Sequence, residues 1–367
     1  MKGNLFILAY LLILLPQACM KDDLLWEPDG EVPHMTGRGL FIVNEGNFTY
    51  GNASLSYYEL DKQEVIQDVF YQVNALPLGD VAHSMTIRDS LAYVVVNNSG
   101  RIYILDASTF RYEGKITGLT SPRYIHFVDD TKAYVSDLYA RALAVVNPQT
   151  REITGFIPVS NSNSEFYQHS TEQMLQLGKY VYVNCWSYDQ MILIIDSELD
   201  RVVDSIQVIK QPNSMVVDKY HSLWVLSDGG FEDSPYGYEL PGLMRIKAGS
   251  REVEILHRFQ AGERPADLRI NGAGDSLFFI NQHIYTYAVG NPAGPERIIS
   301  SSHSAEASGG FYGLEVDPLN SHIYVADAKD HLQRGVIYRY DSFGELIDSF
   351  PAGISPGAFC FNQALVD

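Results

Sequence analysis

One three-residue pattern recurs seven times between residues 40 and 325 of this 367-residue chain. In each copy a central aromatic residue lies between two apolar residues. The copies are Leu40-Phe41-Ile42, Ala92-Tyr93-Val94, Ala133-Tyr134-Val135, Val181-Tyr182-Val183, Leu223-Trp224-Val225, Leu277-Phe278-Phe279 and Ile323-Tyr324-Val325. Successive aromatic residues stand 41 to 54 positions apart, a period typical of propeller blades with four strands. The chain is therefore expected to fold into repeated β-units.

The segments after each copy complete the unit. A polar loop leads to a second strand, which in five of the seven copies ends with Asp or Asn: Asp61, Asp106, Asn147, Asp196 and Asp341. Short side chains of this type bond backbone amides two residues ahead, so we interpret these five as turn formers rather than catalytic groups. A third strand comes next. A fourth strand is expected to close the unit, and it often begins with a proline, as at Pro122, Pro212 and Pro356. Proline suits the first position of a strand because its missing N–H costs no hydrogen bond of the sheet there.

The two ends of the repeat predict how the ring closes. The first copy has no proline-opened strand before it, whereas the last such strand, from Pro356 to Phe361, has no unit of its own. Pairing this last strand with the first copy would complete one blade and remove an open sheet edge. We therefore predict an all-β, seven-bladed β-propeller over residues 38–367, with four antiparallel strands per blade. A tandem of smaller β-sandwiches is the alternative, but it gives no reason for a single period.

The first 37 residues are expected to direct the chain to its location. Residues 5–15 are an apolar run behind Lys2, about half of the roughly 20 residues that a spanning helix needs, so residues 1–18 are interpreted as an export signal. Cys19 resembles the lipidated cysteine of bacterial lipoproteins, and residues 20–23 are similar to the surface-export signal of Bacteroidetes lipoproteins. The resemblance implies a lipid anchor at Cys19 on the cell surface of the outer membrane, followed by a flexible tether over 19–37. Plain secretion is the alternative.

Charge and cysteine content exclude several classes of partner and fold. The chain has 26 Lys and Arg against 45 Asp and Glu, a net charge of −19. Because phosphate binding needs clustered cations, this balance argues against nucleic acid or anionic lipid as a partner. Apart from Cys19, only Cys185 and Cys360 remain, too few for a disulfide scaffold. The sequence does not say whether these two pair.

Two resemblances follow from the repeat. The unit around Tyr93, from residue 92 to residue 116, resembles the YncE-like and lactonase-like seven-bladed propellers. The opening blade is more specific, because residues 41–48, 51–58 and 74–85 look like the Bacteroidetes propeller lipoproteins that include the BtuG-type cobalamin-binding proteins. That resemblance implies capture of cobalamin (vitamin B12) or another corrinoid outside the cell. It also implies delivery to a TonB-dependent outer-membrane transporter, with cobalamin as the transported ligand and no cofactor.

The candidate binding residues lie in two sets of segments. One set is the polar loops after the aromatic strands, which in a propeller blade join the second and third strands, and the other leads into the next inner strand. These loops are expected to meet on one face of the propeller. The candidates are Asn44, Glu45, Tyr50, Asp80, Asn97, Arg123, Asp137, Tyr139, Trp186, Tyr188, Asp228, Phe231, Arg264, Tyr312 and Asp327. Aromatic rings could cover the apolar area of a corrin while amides and carboxylates pair with its amide groups. The same chemistry suits sugars, so a glycan-binding propeller or a protein-interaction platform remains an alternative.

An enzyme is not expected from the motifs. The sequence has no H-E-x-x-H, no G-x-S-x-G and no paired-cysteine metal signature. Four acids recur at similar loop positions, as in a lactonase-like cation site: Asp80, Asp137, Asp228 and Asp327. Because the other blades lack the matching acid, we predict no metal site. One of His83, His169 and His331 could approach cobalt, and a lactonase-like or lyase-like enzyme remains the last alternative.

Overall fold

The computed structural model describes residue 35 and residues 37–161, 168–291, 293–302 and 310–362. Within them the chain forms seven four-stranded antiparallel sheets. The first three blades contain β1 (Gly39–Asn44), β2 (Ser54–Glu59), β3 (Glu64–Ile66), β4 (Ala82–Arg88), β5 (Leu91–Val96), β6 (Arg101–Asp106), β7 (Tyr112–Ile116), β8 (Pro122–Phe127), β9 (Ala133–Asp137), β10 (Ala142–Asn147) and β11 (Glu152–Pro158). A short helix, α1 (Val69–Asn74), follows β3, and a 3-10 turn (Asn97–Ser99) follows β5.

The other four blades and the closing strand follow the same order. They contain β12 (Thr171–Leu177), β13 (Tyr180–Cys185), β14 (Met191–Asp196), β15 (Arg201–Gln207), β16 (Pro212–Val217), β17 (Leu223–Ser227), β18 (Gly242–Ile246), β19 (Val253–Arg258), β20 (Ala266–Ile270), β21 (Ser276–Asn281), β22 (His283–Ala288), β23 (Glu296–Ile299), β24 (Phe311–Val316), β25 (Ile323–Asp327), β26 (Arg334–Tyr340), β27 (Leu346–Ile354) and β28 (Pro356–Asn362).

The last strand completes the first blade, as predicted. The order in that sheet is β28-β1-β2-β3, and Leu40 of β1 pairs with Phe361 of β28. The innermost strands of neighbouring blades contact one another around the ring, with β28 touching both β24 and β4. The predicted seven-bladed propeller with four antiparallel strands per blade is therefore confirmed.

The proline-opened strands occupy a different place in the unit from the one expected. The sequence pattern places Pro122 at the end of a unit, but its strand β8 pairs with β9, the aromatic strand that follows. The proline strands are therefore the innermost strands of the next blade. The sequence pattern is compatible with both descriptions because a ring of repeats has no intrinsic first strand, and only the hydrogen-bonded pairing decides between them.

Each interface between neighbouring blades has its own buried apolar cluster. The repeated aromatic residues lie in seven different clusters: Phe41, Tyr93, Tyr134, Tyr182, Trp224, Phe278 and Tyr324. Trp224, Tyr134 and Tyr324 are among the largest side chains with no solvent exposure. Large rings bury much apolar area per residue, so one ring per interface lets blades of about 45 residues pack face to face.

The predicted turn formers do what their side chains suggest. Asp106 Oδ1 accepts hydrogen bonds from the amides of Ser108 and Thr109 at 3.0 and 2.7 Å. Asn147, Asp196 and Asp341 accept bonds from the amide two residues ahead in the same way. Four of the five predicted turn formers are thus confirmed by their contacts.

The predicted leader falls outside the part of the chain described. This applies to residues 1–18 and to Cys19, as well as to most of the 19–37 tether. Among the described residues, no helix has the length and apolar character needed to cross a membrane. Cys185 and Cys360 are both free thiols, so the two do not pair with each other.

Candidate ligand-binding face

The propeller has two faces built from different connections. The loop face carries the loops between the second and third strands and the segments that lead into each innermost strand. The turn face carries the remaining connections, which are tight turns such as the one at Asp106. The longest of the loops between second and third strands joins β17, which ends at Ser227, to β18, which begins at Gly242. All fifteen candidate residues belong to the loop face or to the strand ends that meet it.

Every innermost strand has a β-bulge at its loop-face end. In β4, for example, Ala82 pairs with Val96 and Ser84 with Val95, so the pairing skips His83. The second residue of each innermost strand is skipped in this way, in a set named here the bulge ring: Gly357, His83, Arg123, Glu172, Asn213, Asp267 and Tyr312. A bulge frees one residue from the ladder and re-aims its side chain. Seven bulges in register therefore present seven residues to the mouth of the central channel.

Arg123, Glu172 and His83 form one side of the bulge ring. Arg123 Nε donates to both carboxylate oxygens of Glu172 at 2.8 Å. His83, two blades from Glu172, places Nε2 3.8 Å from Glu172 Oε2 and stacks its ring edge-on against Tyr124. Burial raises the pKa of Glu172, against the opposing effect of Arg123. Burial, with a smaller effect of Arg123, holds the pKa of His83 well below its usual value, so His83 is neutral at pH 7.

His83 Nε2 has no hydrogen-bond partner among the described residues, although it is buried. The terminal guanidinium nitrogens of Arg123 also make no hydrogen bond within the described part of the chain. Buried polar atoms normally find a partner, so each exception calls for an explanation such as a bound water, ion or ligand. Both unpartnered groups lie in the same arc of the bulge ring.

Glu45 and Tyr312 form the opposite arc of the ring. The Tyr312 hydroxyl donates to Glu45 Oε2 at 2.8 Å. Burial raises the pKa of the Glu45 carboxyl, while the Tyr312 hydrogen bond and Arg123 lower it to a smaller extent. Gly357 leaves room for this pair, since a Cβ there would lie 2.6 Å from Glu45 Oε1. Glu45, Arg123 and Tyr312, three of the predicted residues, are thereby brought together.

A second ionic group involves the next arc of the ring. Arg269 Nη2 lies 2.5 Å from Asp267 Oδ1, and Arg269 Nε lies 3.2 Å from Glu315 Oε2. Burial raises the pKa of both carboxyl groups. Around the channel, four carboxyl groups (Glu45, Glu172, Asp267, Glu315) therefore face two arginines (Arg123, Arg269). The central channel is therefore suited to a ligand that is cationic or rich in hydrogen-bond donors.

Exposed aromatic side chains surround this channel mouth. Tyr139 is 66% exposed, and Tyr50, Tyr188 and Phe231 are also exposed. Tyr188 packs against Tyr236 with ring centroids 4.7 Å apart. These residues come from four different blades, and we name the set Tyr50, Tyr139, Tyr188 and Phe231 the aromatic rim.

Trp186 and Asp228 link two blades beside the aromatic rim. The indole Nε1 of Trp186 donates to Asp228 Oδ2 at 3.1 Å, and Gly230 N donates to Asp228 Oδ1. Burial raises the pKa of Asp228. Arg264 is exposed nearby, close enough to lower that pKa by its charge.

Most of the other candidates lie at the base of the loops and hold them in shape through hydrogen bonds. The structure holds Asn44, Asn97, Asp137 and Asp327 almost fully buried. Asp137, for example, accepts hydrogen bonds from the amides of Ser121 and Tyr139. Asp80 accepts bonds from Thr49 N and from the Asn98 side chain. Their carboxyl and amide groups fix loop shape, and their direct contact with a ligand stays a prediction.

Four residues of the bulge ring were missed from sequence, namely Glu172, Asn213, Asp267 and Gly357. The available signal was positional, because each stands one residue after the start of an innermost strand, as Arg123 and Tyr312 do. The four recurring loop acids do not converge on a cation, since the group of candidate metal ligands found among the described residues consists of other side chains.

Residues 38–353 match the family model described as a domain of unknown function, DUF5074. The chain belongs to this family. The match spans the propeller from β1 to β27 and ends before the closing strand β28. No curated protein matches the chain in sequence.

Several solved structures share the fold at low identity. A quinonprotein alcohol dehydrogenase-like protein from Bacteroides thetaiotaomicron is 16% identical, with a TM-score of 0.68, over 90% of this chain and 79% of that one. A periplasmic gluconolactonase from Pseudomonas aeruginosa is 14% identical, with a TM-score of 0.63, over 89% and 99%. Hydrazine synthase from Kuenenia stuttgartiensis is 15% identical, with a TM-score of 0.58, over 76% and 88%. At these identities the likeness concerns the propeller fold alone.

Proposed function

We propose that the loop face binds cobalamin or a related corrinoid outside the cell and hands it to a TonB-dependent outer-membrane transporter. In this proposal the protein is a surface lipoprotein anchored at Cys19 and not an enzyme. The observation that carries the proposal is the aromatic rim around a channel mouth whose polar groups are partly unpartnered. The opening-blade resemblance supplies the ligand class.

The chemistry of the face matches a corrinoid in two respects. A corrin is a broad, flat ring, so its apolar faces need exposed aromatic surface, which Tyr50, Tyr139 and Tyr188 provide. Its edge carries amide groups, which donate and accept hydrogen bonds. Glu45 and the free guanidinium nitrogens of Arg123 are suited to such groups, and the excess of carboxylates favours the cationic metal centre.

The ligand is tested by calorimetric titration of the chain from residue 24 onward with cyanocobalamin and with its precursor cobinamide. We expect one-to-one binding. Replacing Tyr139 or Trp186 with alanine should weaken it by about 10-fold each, because truncation of a central aromatic contact typically costs more than 1 kcal/mol. Tyr220→Ala is the matched control, since Tyr220 is 64% exposed, much as Tyr139 is, but lies in a turn on the turn face.

Two outcomes would contradict the proposal. Absence of heat at micromolar protein would remove the corrinoid, and titration with oligosaccharides would then test the glycan alternative, which the same aromatic and carboxylate groups favour. Equal weakening by Tyr220→Ala and Tyr139→Ala would mean that the loop face is not the binding face.

The transport partner needs a separate experiment. A photo-crosslinker at Phe231, on the aromatic rim, and another at Tyr220, on the turn face, should be compared in the native outer membrane. We expect the loop-face position to capture a TonB-dependent receptor, because a capture protein must present its ligand toward the pore. Crosslinks to other proteins alone, from both positions, would argue for a general interaction platform instead.

A further inference from the structure

A histidine, a cysteine and an aspartate converge beneath the loop face of the fourth blade. His169 lies in the segment before β12, Cys185 ends β13, and Asp189 lies in the loop before β14. One potential ligand atom from each side chain lies within 4.8 Å of the other two. In the part of the chain that the structure describes, no other three His, Cys, Asp or Glu side chains meet this closely.

The three side chains have few other contacts. His169 Nδ1 lies 2.7 Å from Asp189 Oδ2, and the Cys185 sulfur contacts the Val183 carbonyl at 4.0 Å and the backbone of Leu193. The second carboxylate oxygen of Asp189 accepts a hydrogen bond from Gln190 N at 2.7 Å, which orients the carboxylate. Hydrogen bonds of this kind behind a ligand fix its direction toward a metal.

The backbone around the group is already fixed. His169 N donates to Val159 O at 2.8 Å, and Gln211 N donates to Asp189 O at 2.8 Å. Cys185 lies opposite Thr171 in the sheet. Only side-chain rotations are therefore needed to close the three groups around an ion, and little conformational entropy is lost.

We propose that His169, Cys185 and Asp189 bind a divalent cation of the zinc class. An imidazole, a thiolate and a carboxylate together suit Zn²⁺, whereas Mg²⁺ and Ca²⁺ take oxygen ligands almost exclusively. Three protein ligands leave the fourth tetrahedral position open, as in zinc sites that hold water or a substrate.

The dimensions agree with this assignment. Ligands at 2.0–2.3 Å from tetrahedral zinc stand about 3.5 Å from one another. The histidine and aspartate atoms must therefore separate by about 1 Å, and the thiol already lies within 4.8 Å of both. The side chains of His169 and Asp189 are 17% and 11% exposed, which gives the ion a route from solvent. This proposal does not depend on the corrinoid.

The test uses Co²⁺ as a spectroscopic probe for the zinc site in the purified chain. We expect one equivalent of Co²⁺ to give the intense near-ultraviolet band of sulfur-to-cobalt charge transfer, and one equivalent of Zn²⁺ to abolish it. Cys185→Ser should lose the band. Cys360→Ser is the matched control, because Cys360 is the other free thiol and lies in β28 of the first blade, so that variant should keep the band.

Two further variants protect the test against misfolding of the buried cysteine variant. His169→Gln and Asp189→Asn change partly exposed side chains and should each weaken Co²⁺ binding by at least about 10-fold while thermal unfolding without metal stays close to that of the native chain. Absence of the band in the native chain, or its persistence in Cys185→Ser, would overturn the proposal. So would unchanged affinity in both His169→Gln and Asp189→Asn.

Discussion

The two faces of the propeller each hold a tryptophan whose indole N–H donates to an aspartate. On the turn face, Trp224 Nε1 lies 2.8 Å from Asp218 Oδ2, and both residues are buried. On the loop face, Trp186 Nε1 lies 3.1 Å from Asp228 Oδ2, and both residues are only partly buried. The same pair of groups thus serves a closed turn in one place and an open surface in the other.

The other hydrogen bonds of each aspartate explain why one pair closes a turn and the other lies on an open surface. Asp218 also accepts the amides of Tyr220 and Ser222, so its carboxylate is fully used within one turn. Asp228 bridges to a tryptophan of the neighbouring blade, on a surface that also bears exposed rings. The Asp218 carboxylate is thus fully used by folding, whereas Asp228 lies on the face whose exposed rings remain available for recognition.

The largest expected effect separates the two tryptophans by stability. Trp224→Ala should lower the free energy of unfolding by about 3–5 kcal/mol, because it leaves a cavity in a blade interface. Trp186→Ala should lower it by about 1 kcal/mol, since part of that ring is already in solvent. Denaturant unfolding measures both free energies, and equal losses in the two variants would contradict the contrast drawn between the two tryptophans.

Ion pairs give the next contrast. Arg123→Met should cost about 2–3 kcal/mol, because buried Glu172 then has no hydrogen-bond donor among the described residues. Arg38→Met on the turn face should cost less, about 1–2 kcal/mol, because Asp317 keeps the amide of Leu319.

A double variant checks the physical reason for the Arg123 effect. Arg123→Met combined with Glu172→Gln should recover most of the loss in denaturant unfolding, since the unpaired charge is gone. No recovery would show that packing of the arginine stem, rather than the charge of Glu172, controls the effect.

Side chains that hold a single loop or turn in shape should show a smaller difference in the free energy of unfolding. Asp106→Ala removes the acceptor for the Ser108 and Thr109 amides and should cost about 1 kcal/mol. Asn98→Ala, in the loop-face connection of the same blade, should cost less than about 0.5 kcal/mol, because Asp80 keeps the Thr49 amide. Thermal unfolding of the two variants side by side measures the difference, and the reverse order would contradict the assignment of roles.

The smallest effect is a pH dependence at Glu45. Burial raises the pKa of Glu45 above its usual 4.5, so the folded chain binds its proton more tightly than the unfolded chain. Its contribution to stability is therefore present at low pH and is lost as pH rises through the raised value. Glu45→Gln, which removes that titration, should gain stability relative to the native chain between pH 4 and pH 7 in thermal unfolding.

An exposed acid supplies the control of opposite sign. A hydrogen bond from Arg245 lowers the pKa of Glu254, so its favourable contribution is present above the usual value and lost on acidification. Glu254→Gln should therefore lose stability relative to the native chain as pH rises over the same range. The same trend in both variants would mean that the titration of Glu45 is not governed by burial.

The sequence carried enough information for the fold because one residue type marks each blade. An aromatic such as Tyr134 or Trp224 fills one interface, so its period counts the blades, and the unmatched strand at Pro356 predicts closure. Local chemistry also predicted the turns, since Asp106 acts on amides only two and three residues away.

The site was predicted only where it depends on loop composition. The bulge ring depends on register, which is set by pairing with another strand, so its members can be located in the sequence only once the start of each innermost strand is known. Arg123 and Glu172 are 49 residues apart and meet only because their strands lie in adjacent blades. His169 and Cys185 belong to one blade, but the spacing between them matches no metal motif, so sequence alone did not indicate that they meet.

The strand that closes the ring also sets the order in which the chain can fold. Because β28 is the last strand and pairs with β1, the first blade lacks its innermost strand until the end of the chain has emerged. During synthesis or export, the edge of β1 stays open to pairing with other chains while the other blades can already form. The final step of folding then joins residues from opposite ends of the chain, so deletion of only the last strand should prevent a closed ring from forming.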